Sequence, residues 1–101
     1  MPNGHDKNWI RLCAAIDGFR LRHGCWPKRV LLYPGALDDL RNHLFSPQMF
    51  ATIEAKVSLV AAEAGMIAED DNGNSYDYGT EGFPEKIPSP SAAEWLGVEP
   101  I

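Results

Sequence analysis

Cys13, His23 and Cys25 are the residues of this 101-residue chain that come closest to a metal centre, since thiolate and imidazole ligands close the tetrahedral sites that stabilise small domains. Their spacing argues against one. Zinc motifs bring paired ligands, roughly two to four residues apart, from two separate places. Here only His23-Gly24-Cys25 is compact, and Cys13 falls on the apolar side of a helix, where a free cysteine is ordinarily core. Asp70, Asn72, Asn74 and Glu81 resemble the oxygen-ligand spacing of a calcium loop, but Ser75 stands where that loop needs glycine and the flanks read as strands. No metal and no cofactor are expected.

Nucleophilic catalysis would draw on Cys25 with His5, His23 or His43, or on a serine with His43 and an acid. Such sets work by geometry, and no signature of a strained nucleophile turn or an oxyanion hole accompanies them. Asp38-Asp39 fits the positive end of a helix dipole, and Glu69-Asp70-Asp71 fits a solvated hairpin. Gly18, Gly24 and Gly35 are too scattered for a phosphate loop. The chain is accordingly read as a non-enzyme, with no catalytic residue assigned.

Two binding chemistries remain. Arg11, Arg20, Arg22, Lys28 and Arg29 cluster near the first helix and its exit, with Trp26 available for stacking, which suggests a nucleic-acid interface. A net charge of -5 opposes it, because phosphate contacts supply most non-specific affinity. The charge is also divided: residues 1–50 carry seven Lys and Arg against four Asp and Glu, and residues 51–101 carry two against ten. If the arginines pair with those carboxylates, the nucleic-acid reading fails. The other chemistry is protein binding, for which Trp95, Leu96 and Val98 form an aromatic anchor of the kind enriched at interface hot spots. The main expectation is therefore a small accessory protein acting by protein binding or self-association, with nucleic-acid binding as the alternative.

The elements that must position these residues follow from periodicity. Trp9, Leu12, Cys13, Ile16 and Phe19 recur at helical spacing within Lys7 to Arg22, with Asp6 as the expected N-cap and Gly24 as a left-handed stop. Arg11, Ala15, Gly18 and Arg22 mark another face of that helix. Arg29 to Tyr33 reads as a strand closed by Pro34-Gly35, and Leu37, Leu40 and Leu44 mark a second helix. Ser46-Pro47 restarts a third, short helix through Met49, Phe50 and Ile53. Lys56 to Ala61 is a further strand. Residues 66–79 read as a hairpin turning at Asn72-Gly73, with Ile67 opposite Tyr78 and Glu69 opposite Tyr76 on the core side. Ser91 to Glu94 matches a capping box before Trp95, with Gly97 as its stop.

These elements predict an α+β fold: one small domain with a three- or four-stranded mixed or antiparallel sheet, helices packed on one face, and a Pro-rich C-terminal tail. The expected division is a compact domain over 1–83 and a tail over 84–101, docked through its helical turn. No stretch approaches the ~20 apolar residues of a membrane span and no apolar leader core follows Met1, so a cytoplasmic setting is expected and no membrane partner.

Overall fold

The computed structural model describes residues 6–98. His5 lies outside the described residues, as does the Asp6 side chain expected to cap the first helix. Helix α1 runs Asp6–His23 and ends where Gly24 takes φ 74° and donates its N–H to the Arg20 carbonyl at 2.9 Å. Strand β1 (Arg29–Leu32) leads into α2 (Pro34–Asp39), which continues as a π-helical segment (Leu40–Leu44). Helix α3 (Pro47–Glu54) begins at Ser46, whose hydroxyl accepts from Met49 N–H. Then follow β2 (Ser58–Ala61), β3 (Gly65–Glu69), β4 (Ser75–Asp77), α4 (Tyr78–Glu81) and α5 (Ala92–Leu96).

The four strands form a mixed sheet in the order β2-β1-β3-β4, with β1 parallel to β2 and antiparallel to β3. The α+β class is as expected. Registered neighbours share a face, so Val30, Leu59, Ala68 and Tyr76 line up across the sheet and are buried with Leu32 and Met66 beneath the helices. The opposite face carries Leu31, Val60 and Ile67 in one lateral row, with Val60 exposed. Strand β1 is therefore sealed on one face and only half covered on the other, because its neighbours in the sequence leave the helices on a single side. Among the described residues no helix is long and apolar enough to cross a membrane.

The hairpin exists, but its register is one residue away from the expected one. Ile67 faces Asp77, Ala68 faces Tyr76 and Glu69 faces Ser75. The cause is Asp70: its Oδ1 accepts from Asn72 N–H (2.9 Å) and Asn74 N–H (3.0 Å), while Oδ2 accepts from the Asn74 side chain (2.9 Å). These bonds hold a loop of three residues, 71–73, closed by Asp70 N–H to the Asn74 carbonyl. The one-residue slip turns β3 over relative to β4, so Met66 and Ala68 join Tyr76 on the core side in place of Ile67 and Glu69, while Tyr76 faces the core as expected. The second strand also stops early, since Asp77 caps α4 by accepting from Gly79 N–H at 2.8 Å. Of the turn residues only Gly73 has positive φ, 86°. Gly73→Val should cost more than about 1 kcal/mol, because a β-branched residue is strained there; a lowered urea midpoint is the check.

Candidate functional site

The C-terminal segment returns to the domain and, together with α1, builds the walls of a groove. Its anchor is α5, whose five residues make too short a helix to persist alone. Ser91 and Glu94 form the expected capping box, and Gly97 closes the turn at φ 73°. Leu96 and Ala92 are fully buried and Val98 nearly so. Trp95 lies parallel to Trp26, with ring centroids 4.3 Å apart. Cations cover both rings: the Arg20 guanidinium lies 5.1 Å from the Trp26 centroid, and Lys56 Nζ lies 5.7 Å from that of Trp95 while donating to the Trp95 carbonyl. Of the expected anchor residues, Leu96 and Val98 are thus inside the chain's own core, and Trp95 is half-buried against it.

Residues 83–91 connect α4 to this anchor and run beside α1, leaving a groove of about 710 Å³. Ile10, Ala14 and Asp17 supply one wall, at spacings of four and three that place them on one stripe of α1. Phe83, Pro84 and Ile87 supply the other. Ile10, Phe83 and Ile87 are 47%, 63% and 68% exposed, unusual values for side chains of this size. Phe83 is held edge-on to Tyr78, with centroids 5.3 Å apart.

Asp17 lies deep on the α1 wall, 5% exposed. Its Oδ1 accepts from the Ala92 N–H at 2.7 Å, tying the start of α5 to α1 across 75 positions of sequence. Burial pushes the Asp17 carboxyl above its ordinary range, and the Ala92 hydrogen bond offsets part of that rise. Its neighbour Cys13, one turn earlier, has its thiol pushed up to about 12, chiefly by burial and then by the Asp17 charge. That thiol is protonated at neutral pH and is no nucleophile.

The remaining sequence candidates are dispersed. Cys25 is exposed, His23 Nε2 donates to the Ser75 carbonyl at 3.0 Å, and His43 Nε2 lies 3.6 Å from Asp38. Among the described residues no group of three or more His, Cys, Asp or Glu is arranged to hold a metal ion. The oxygens of Asp70 are occupied by the hairpin loop, and Glu81 forks onto Arg22, which holds its carboxyl below the usual range. The basic residues do not form one open stripe. Arg22 pairs with Glu81, and Arg29 pairs with Glu69 (3.0 Å) and Asp71. Arg20 donates to the Gly24 carbonyl, while Arg11 and Lys28 are exposed on separate segments.

The groove residues Ile10, Asp17, Phe83 and Ile87 were not legible as a site. Phe83 and Ile87 sit in a Pro-rich stretch without periodicity, and the signal available for Asp17 was a lone acid inside Ala14-Ala15-Ile16-Asp17-Gly18-Phe19. Compared with protein-family models, with curated proteins and with solved structures, the chain gives no match.

Proposed function

We propose that this protein acts without catalysis, by receiving a segment of another protein in the groove between α1 and residues 83–91. The supporting observation is the convergence there of Ile10, Phe83 and Ile87, three of the five large apolar side chains most exposed among the described residues. Large exposed apolar side chains gathered at one groove are a feature of interaction surfaces. The small residues Ala14 and Ala93 at the lining leave depth for an incoming side chain. The nucleic-acid alternative calls for a carboxylate-free arginine stripe, and the pairing of Arg22 and Arg29 with acids speaks against it.

The row Val60, Leu31 and Ile67 on the half-covered sheet face, with Tyr33 exposed beyond it, favours self-association as a second reading. Sedimentation and a peptide-array screen separate the two. On the groove reading, peptide binders lose about tenfold or more in affinity with Ile10→Asp, as expected for a hot-spot residue, and are indifferent to Val60→Lys. Binders indifferent to Ile10→Asp would remove the groove reading. A concentration-dependent dimer broken by Val60→Lys would move the interaction to the sheet.

A further inference from the structure

Besides the exposed Glu85 and Lys86 and the capping Ser91, the groove lining includes one buried charged residue, Asp17. Asp17 is almost wholly buried, and of its two carboxylate oxygens only Oδ1 has a hydrogen-bond donor, the Ala92 N–H. Oδ2 has none among the described residues. It is not sealed in protein either: the one fully enclosed side-chain polar atom without a partner among the described residues is Arg20 Nε, and Asp17 belongs to the groove lining. A buried carboxylate with an open oxygen costs free energy until a cation or donor meets it. Such a group at the lining of an apolar groove can fix the orientation of a ligand.

Resting on the groove as the receiving surface, we propose that it selects a lysine side chain of the partner protein, the ammonium meeting Asp17 Oδ2 and the aliphatic stem lying along Ile10, Ala14 and Ile87. The stripe supports this order. Ile10 at its outer end is 47% exposed, whereas Ala14 and Asp17 are each 5% exposed, so the wall runs from an open apolar rim to a buried charge. A lysine has that same profile, an apolar stem ending in a compact charge. Arginine does not fit as well. A guanidinium gains its advantage from bidentate pairing with both carboxylate oxygens, and at Oδ1 the Ala92 backbone N–H, 2.7 Å away, already takes one of the acceptor directions and part of the charge. One open oxygen suits the single-point contact of an ammonium. The raised Asp17 carboxyl is the expected signature of a buried charge awaiting its counterion.

Three synthetic acetylated pentapeptides with leucine on either side of a central lysine, arginine or norleucine test this on the unaltered chain. Affinities come from amide shift titrations, followed at Ile10, Phe83, Ile87 and at the Ala92 N–H. The lysine peptide should bind about tenfold tighter than the norleucine and arginine peptides, the scale of one charge-assisted hydrogen bond. Asp17→Asn retains an acceptor for Ala92 and should bring all three within about twofold. Lys86 on the rim carries the competing ammonium of this chain, and Lys86→Met should leave the lysine preference in place. Equal affinities for lysine and norleucine, with shifts at the groove, overturn the role of Asp17 and leave the groove reading intact. Equal affinities for lysine and arginine overturn the ammonium selectivity. Shifts absent from Ile10, Phe83 and Ile87 remove the groove reading itself, and the inference with it. The comparison among peptides on the unaltered chain decides the matter even where Asp17→Asn fails to fold.

Discussion

Leu96→Ala should lower the melting temperature by roughly 10–20 °C, the largest loss expected from a single substitution in the C-terminal segment. Leu96 is fully buried in a five-residue helix that has no stability of its own. Truncating a buried leucine removes transfer free energy and leaves a cavity, together about 2–5 kcal/mol. In a domain of this size each kcal/mol corresponds to about 4–8 °C. Trp95→Ala should cost less, since Trp95 keeps an exposed edge, although it also removes the stack on Trp26 and the Lys56 contact. Deletion of residues 84–101 should reach at least the Leu96→Ala value, because Ala92 and Val98 leave with Leu96. Circular dichroism melts make the comparison. Melts matching the parent, with tail amides exchanging hydrogen unprotected, would show the tail to be free and return Trp95, Leu96 and Val98 to the role of partner anchor.

Gly18→Ala should destabilise by at least about 1–3 kcal/mol, although in an exposed helix interior the same change stabilises by up to about 1 kcal/mol. The sign reverses because a Cβ on Gly18 would lie 2.4 Å from two carbons of the Tyr76 ring. The ring has little freedom to withdraw: its hydroxyl donates to the Gly82 carbonyl at 2.8 Å, and the Arg22 guanidinium lies 4.9 Å from its centroid. Arg22 is in turn forked onto Glu81. The clash therefore propagates from α1 through β4 to α4. Chemical denaturation measures the loss, and Tyr76→Leu placed beside Gly18→Ala should recover part of it by vacating the space. An alanine variant as stable as the parent would show that Tyr76 packs elsewhere.

What could be read from the sequence was chemistry confined to a few adjacent residues. Ser46 and Ser91 cap the helices they precede, Gly24 and Gly97 end helices with positive φ, and the apolar spacing of Leu12, Ile16 and Phe19 marks a buried face. Each of these depends on bonds reaching three or four positions along the chain, so the pattern carries them. The same holds for the presence of a hairpin near Asn72-Gly73.

Its register did not follow, because it turned on which donors the Asp70 carboxylate would take, a competition between loops nearly equal in local chemistry. Burial of Ala15 and Gly18, placed by periodicity on a separate face of α1, was hidden for another reason: small residues contribute little hydropathy, and Gly18 is covered by Tyr76, 58 positions on. The parallel pairing of β1 with β2 and the arginine pairs with the acidic second half join residues about 30 to 60 positions apart. The groove extends this furthest. Ile10 and Asp17 meet Phe83 and Ile87 because the C-terminal segment docks back on the domain, with Leu96 buried and the Ala92 N–H bonded to Asp17 across 75 positions. Such contacts form when elements already made from local signals pack and exclude water, so the site belongs to the tertiary structure while the elements that frame it belong to the sequence.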